Sequence, residues 1–125
     1  MNIRVENITP ILYVSDMARS LAFYVNVLGF ENAEWGDENF TSIDLNGKGL
    51  YLCKGGQGSP DTWVWIGFNG SIFSLYKELQ SKGVNVKMPP TKFSWAYELQ
   101  VEDPDGHILR FGTNPDDREQ ANLYL

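Results

Sequence analysis

The stretch VEDPDGHILRF, residues 101–111, decides the fold, because its turn sets the register of the strand-like segments on either side. If Asp103-Pro104-Asp105-Gly106 forms a type I turn followed by a glycine bulge, Leu99 pairs with Phe111 and apolar residues share one face. A four-residue loop would instead set Arg110 against Leu99 and mix apolar with charged residues on both faces. We therefore predict the bulged turn, with Arg110 on the face that is not the core.

A second hairpin signal lies earlier in the chain. Asn46-Gly47 predicts a two-residue turn that pairs Ile43 with Leu50. Each hairpin follows a strand-like segment and a helical pattern that ends at a glycine, Gly29 in the first case and Gly83 in the second. The chain is therefore predicted to contain the same strand–helix–three-strand unit twice.

The predicted elements follow the same order in both units. In the first unit they are a strand at Ile8–Ser15, a helix at Met17–Leu28, and strands near Phe30–Trp35, Phe40–Leu45 and Leu50–Cys53. In the second unit they are a strand at Thr62–Phe68, a helix capped by Ser71 and ended by Gly83, and strands at Val84–Met88, Trp95–Val101 and His107–Phe111.

The predicted fold class is α+β, with two βαβββ units forming a curved, mostly antiparallel sheet around a pocket and the helices on the outside. We expect a single domain over residues 1–125. Its units would span about 1–55 and 61–114, followed by a C-terminal tail at 115–125.

Charge and cysteine content narrow the function classes. The formal net charge of −6 argues against a nucleic-acid partner, because phosphate binding needs a basic face, and equally against an anionic membrane surface. It weakly favours a cationic ligand. The N-terminus lacks the apolar stretch of a secretory signal, and the single cysteine, Cys53, allows no internal disulfide. These features predict a cytoplasmic protein.

Strand alternation separates a core face from a second, mixed face. On the first strand Leu12 and Val14 suit the helix side, and on the fifth strand Val64 and Ile66 do. The opposite face combines aromatic rings with a few polar groups, as small-molecule sites do, although a protein–protein interface has a similar composition. The predicted ligand-binding residues are Tyr13, Phe40, Tyr51, Cys53, Trp63, Trp65, Trp95, Glu98, Gln100 and Arg110.

Three segments carry a resemblance to a known family. The opening Ile8–Asp16 (ITPILYVSD), continued by Leu28-Gly29-Phe30, closely resembles the start of the glyoxalase/bleomycin-resistance/dioxygenase superfamily, the vicinal oxygen chelate fold. Residues 101–111 resemble the closing hairpin of that family. Trp63-Val64-Trp65-Ile66, followed by the second helix, resembles the bleomycin-resistance proteins in particular. The resemblance covers nearly the whole chain.

The resemblance also implies where a metal would bind. In metal-using members the ligands are usually His, Gln or Glu on the first and last strands of each unit, and the matching positions here are Thr9, Cys53, Trp63 and Arg110. Arginine is always protonated and tryptophan offers no lone pair, so we predict no bound metal and no cofactor.

Carboxylates form an alternative ligand set. Glu98, Glu102 and Asp44 could hold Mg²⁺ or Mn²⁺, although Arg110 among them favours a structural salt-bridge cluster. The only histidine, His107, follows a turn, and we expect it to be solvent-exposed and unrelated to chemistry.

The resemblance and the missing ligand set favour a metal-free protein that binds an aromatic, cationic or drug-like small molecule, as bleomycin-resistance proteins do in antibiotic resistance. The alternative is a lyase, isomerase or dioxygenase-type enzyme, with Glu98 or Glu102 as base and Cys53 as a possible nucleophile. A third possibility is a protein-interaction module. Since family members commonly dimerise, we also expect a homodimer.

Overall fold

A computed structural model describes residues 1–115 of the chain. Contacts divide the chain into two compact units, the first spanning Met1–Pro60 and the second beginning at Asp61. Each unit contains one four-stranded mixed sheet and one helical segment, so the α+β class and the repeated βαβββ order are confirmed. The predicted tail lies outside the described residues except for Pro115.

The first unit begins with strand β1 at Ile11–Val14. Helix α1, Met17–Leu21, continues as a π-helical segment at Ala22–Val27. Asp16 caps this helix, since its carboxylate accepts from the Arg19 backbone N–H. The remaining strands are β2 at Glu31–Asn32, β3 at Phe40–Leu45 and β4 at Lys48–Lys54. The sheet order is β1-β4-β3-β2, in which only the β1–β4 pair is parallel.

The second unit repeats this order. Strand β5 spans Trp63–Gly67 and helix α2 spans Ile72–Ser81, capped by Ser71 as predicted. Strands β6 at Asn85–Lys92, β7 at Tyr97–Glu102 and β8 at Ile108–Thr113 complete the sheet. Its order is β5-β8-β7-β6, and β5 pairs with β8 in parallel.

Both predicted hairpin registers are confirmed. Ile43 pairs with Leu50 across a turn in which both Asn46 and Gly47 have positive φ, 55° and 77°, as a type I′ turn requires. In the second hairpin Leu99 pairs with Phe111, and Gly106 has the positive φ that the bulge needs.

Strand lengths differ from the predicted ones where proline or a loop intervenes. Strand β1 starts at Ile11, although the Pro10 carbonyl still accepts from the Tyr51 N–H at 2.9 Å. Strand β6 runs on to Lys92, since prolines are tolerated on this edge strand, whose register shifts twice against β7.

The predicted helix-facing residues are buried in the first unit. Leu12 and Val14 of β1 lie in the core with Tyr24. In the second unit the predicted residues Val64 and Ile66 are only half-buried, whereas Leu79 of α2 and Leu99 of β7 are buried. Burial of these apolar side chains is the main favourable term in folding each unit.

The prediction that His107 is exposed is wrong. Its side chain is fully buried, and its Nδ1 accepts from the Thr62 backbone N–H at 3.0 Å. The parallel pairing of β5 with β8 places Thr62 beside this histidine, and the Ile108 N–H donates to the Thr62 carbonyl. His107 therefore satisfies a backbone donor at the start of β5.

Across residues 1–115, the helices are too short or too polar to cross a lipid bilayer.

Candidate functional site

Glu98 is the centre of a hydrogen-bonded network on the mixed face of the second sheet. Its carboxylate accepts two bonds from Arg110, from Nε at 2.9 Å and from Nη2 at 2.8 Å. Gln100 Nε2 donates at 2.8 Å and Trp95 Nε1 at 3.2 Å, so each carboxylate oxygen accepts twice. The side chain is only 1% exposed. A buried charge of this kind is stable only when paired and hydrogen-bonded, as this one is.

The network controls the ionisation of Glu98. The hydrogen bonds from Arg110, joined by those from Gln100 and Trp95, outweigh desolvation and lower the pKa of the Glu98 carboxyl to about 2. The same pairing raises the pKa of Arg110. Glu98 is thus a fixed anion whose lone pairs are occupied, which makes it a poor general base.

The Trp65 ring packs against the backbone of the sheet beside this pair. Gly67 and Gly112 are register partners on β5 and β8, and a Cβ added at Gly112 would overlap the Trp65 ring. At Gly67 an added Cβ would lie 3.2 Å from Trp65 Nε1. The indole therefore packs where neither residue has a side chain, and we call Gly67 and Gly112 the glycine floor. Arg110 Cζ lies 5.1 Å from the ring centroid, within cation–π range.

Trp95 continues the same surface on the loop between β6 and β7. Its ring stacks on Phe93 with centroids 4.5 Å apart and planes 9° apart, while its N–H donates to Glu98. More than half of the Trp95 side chain is exposed, so it is not a core residue.

An aromatic cluster of Trp35, Phe40 and Tyr51 lies on the first unit. Trp35 stacks on Phe40 at 6.2 Å, and Phe40 contacts Tyr51 at 5.1 Å. The Asp37 carboxylate accepts hydrogen bonds from the backbone N–H groups of Asn39 and Phe40, next to the start of β3. These bonds lower the pKa of Asp37. Sequence reasoning missed Trp35, because the predicted second strand ended there. The signal available in the sequence was the presence of an aromatic residue on each side of the short acidic loop at 36–39.

Cys53 is buried on β4, opposite Phe40. Its Sγ donates to the Gly55 carbonyl at 3.0 Å, and Gln57 Nε2 lies 3.9 Å from the sulfur. A buried thiol that donates its proton to a carbonyl behaves as a small apolar residue rather than as a nucleophile.

The predicted ligand-binding residues fall into two groups. The first unit holds Tyr13, Phe40, Tyr51 and Cys53, and the second holds Trp63, Trp65, Trp95, Glu98, Gln100 and Arg110. The structure joins five of the second group through Glu98 and Arg110, whereas exposed Trp63 lies outside that network.

The donors at the family's metal positions do not suit a metal. Arg110 is an ion-paired cation, Trp63 has no available lone pair, and the Cys53 thiol is engaged with a carbonyl. Among residues 1–115 no three His, Cys, Asp or Glu side chains are grouped so that they could hold a metal ion. Glu98 belongs to the salt-bridge cluster that the sequence favoured over a carboxylate metal site.

Residues 4–111 match the model of the Glyoxalase/Bleomycin resistance protein/Dioxygenase superfamily. No curated protein matches the chain significantly.

Solved structures of the same fold span most of the chain. An integron cassette protein from the mobile metagenome of a Halifax Harbour sewage outfall is 25% identical, with a TM-score of 0.75, covering 87% of this chain and 99% of its own. Lactoylglutathione lyase from Agrobacterium tumefaciens is 15% identical, with a TM-score of 0.75, covering 87% and 94%. A virulence protein from Salmonella typhimurium is 18% identical, with a TM-score of 0.74, covering 90% and 99%. At identities of 15% and 18% the lyase and the virulence protein show the fold alone.

Proposed function

Because the chain belongs to the glyoxalase/bleomycin resistance protein/dioxygenase superfamily, we propose that it binds a planar aromatic small molecule, which stacks on Trp65. The observation that carries this proposal is that large apolar rings are exposed while a charged side chain is buried. All four tryptophans are between 48% and 62% exposed, whereas the charged Glu98 is 1% exposed. Exposed rings mark a binding surface where they are grouped, and Trp65 and Trp95 both adjoin the Glu98–Arg110 pair.

Trp65 suits stacking better than the other tryptophans. Its indole is held against Gly67 and Gly112 and flanked by Arg110, so a ligand meets a ring that is already in place. Preorganisation lowers the entropy cost of binding. Trp95 and Phe93 extend the same surface, while Gln100 supports it through Glu98.

Sequestering such a ligand without altering it would place the protein functionally with the bleomycin-resistance proteins, and a role in antibiotic resistance follows as part of the proposal. The cytoplasmic location and the homodimer stay predictions from the sequence. The enzyme alternative needs a general base, and the sequence offered Glu98 and Glu102. Because the lone pairs of Glu98 are occupied by hydrogen bonds, Glu102 is the candidate that is left.

The test is calorimetric titration of the full-length protein with planar aromatic compounds of positive, neutral and negative charge, bleomycin included. At least one should bind and quench tryptophan fluorescence. Stacking contributes about 1–3 kcal/mol per ring, so Trp65→Ala should weaken binding by about fivefold or more.

Trp63→Ala is the matched control, since Trp63 is similarly exposed, lies two residues away on the same strand and is outside the network. It should leave the affinity within about twofold. Equal losses in the two variants, or no binding by any compound, would overturn the proposal.

A further inference from the structure

Arg110 uses only one edge of its guanidinium within the protein. Nε and Nη2 both donate to Glu98, and Glu98 is its only hydrogen-bond partner among residues 1–115. A guanidinium carries further N–H groups on Nη1 and on the outer side of Nη2, arranged as a planar fork. One third of the side chain is exposed, which leaves part of it open to contact with a ligand.

The fork is fixed in direction. Rotating Arg110 would break two charge-assisted hydrogen bonds to a carboxylate that also holds Gln100 and Trp95. Glu98 therefore acts as a positioning residue: it is buried and aims the outer edge of Arg110 away from itself. An arginine held in this way binds a second planar acceptor without first losing side-chain freedom.

Local charge at this place differs from the charge of the whole chain. The net charge of −6 favours cations at long range, but such fields are screened within about 8–10 Å at physiological salt. At the network itself the carboxylate of Glu98 is buried and its lone pairs are occupied, so the exposed charged group is the Arg110 guanidinium. A ligand group that contacts the Arg110 guanidinium therefore meets N–H donors.

From these observations we infer that the outer edge of Arg110 binds a carboxylate on the ligand, whose aromatic body stacks on Trp65. Bidentate pairing with guanidinium is the preferred geometry of a carboxylate, and Arg110 Cζ lies only 5.1 Å from the Trp65 ring centroid. A compact aromatic carboxylate spans both groups. This inference rests on the proposed function and names the class of ligand as aromatic carboxylates.

The inference is tested on the unaltered protein with three ligands of one shape: 2-naphthoate, 2-naphthamide and 2-naphthylmethylammonium. Calorimetric titration at neutral pH should give 2-naphthoate an affinity about tenfold or more above that of the amide, as charge-assisted bonds to arginine predict. An amide or ammonium that binds as tightly as the carboxylate would overturn this inference while leaving stacking intact. Failure of 2-naphthoate to bind, while another planar aromatic compound of the wider panel binds, would also overturn this inference and leave the proposed function standing.

Arg110→Lys provides the variant test, because it keeps a positive charge for Glu98 but removes the planar fork. The preference for 2-naphthoate over 2-naphthamide should fall to within about threefold. Lys87→Gln is the matched control, since Lys87 lies on β6 of the same sheet, separated from Arg110 by β7, and pairs with Glu102 at 3.4 Å. It should retain the full preference. A preference that survives Arg110→Lys, or one lost in Lys87→Gln, would contradict the inference.

Discussion

Glu98 accepts hydrogen bonds from Gln100, Arg110 and Trp95 in one network. Each of these residue types is common at protein surfaces. Together they form a buried carboxylate with all of its lone pairs occupied. Removing Arg110 would leave the Glu98 charge buried without its counterion, and removing Glu98 would take the acceptor from four hydrogen bonds at once. The stability of the second unit should therefore depend strongly on Glu98.

Glu98 should make unfolding sensitive to acid. Its pKa is about 2 in the folded protein and 4.5 ordinarily, so the folded state holds fewer protons and Glu98 stabilises it fully above pH 4.5. That contribution, on the order of 3 kcal/mol, is lost as the pH falls from about 4.5 through about 2. We expect Glu98→Gln to lower the free energy of unfolding by on the order of 2–3 kcal/mol at pH 7, measured by urea denaturation.

The difference between wild type and Glu98→Gln should shrink over the same acid range. Glu102→Gln is the control on the same strand. Glu102 accepts from Asn85 and pairs with Lys87, but its side chain is 28% exposed, so its removal should cost less than about 1 kcal/mol. Equal costs for the two variants at pH 7 would show that burial of Glu98 does not govern its contribution.

At the scale of elements, the two hairpins follow local chemistry. Asn46-Gly47 and the turn before His107 each force positive φ at a glycine, and strand alternation then leaves one register with an apolar face. Both registers were predictable for this reason. The exposed loop ring of Trp35 and the buried His107 were not, because their surroundings come from segments that local patterns do not connect.

The Gly67–Gly112 pair between β5 and β8 should determine where Trp65 lies. Gly112→Ala adds a Cβ that overlaps the indole, so the ring must leave the sheet. Overpacking of a close-packed core costs about 1–3 kcal/mol, and because the Trp65 ring is half-exposed and can move outward, we expect the free energy of unfolding to fall by about 1 kcal/mol, the low end of that range. Binding of a stacking ligand should weaken at the same time.

A double-mutant cycle isolates that effect. In a Trp65→Ala background nothing occupies the floor, so Gly112→Ala should cost less than about 0.5 kcal/mol. Urea denaturation of the four proteins gives the coupling energy. Additive costs would mean that the glycine floor and the indole act independently, contrary to the packing described.

At the scale of the whole molecule, the net charge predicts that nucleic acid is not a partner. With a net charge of −6 and an isoelectric point near 4.6, the chain should not bind nucleic acid. Fluorescence anisotropy of a labelled DNA duplex at about 50 mM salt should stay unchanged up to tens of micromolar protein, with a basic protein of similar size as positive control. A micromolar affinity that weakens steeply with salt would contradict this prediction.

The sequence by itself determined the repeated βαβββ order, the two hairpin registers and the side of each strand on which Trp65 and Arg110 lie. These depend on turn residues and on alternation, which act between near neighbours. Only the tertiary structure decided that Glu98 is buried under four donors and that the Trp65 indole rests on Gly67 and Gly112. The position of the indole depends on the parallel pairing of β5 with β8, which joins segments far apart in the chain, and no local pattern specifies which side chains such a pairing brings into contact. The burial of Glu98 depends instead on the β7–β8 pair and on the loop before β7, which brings Trp95 to the carboxylate.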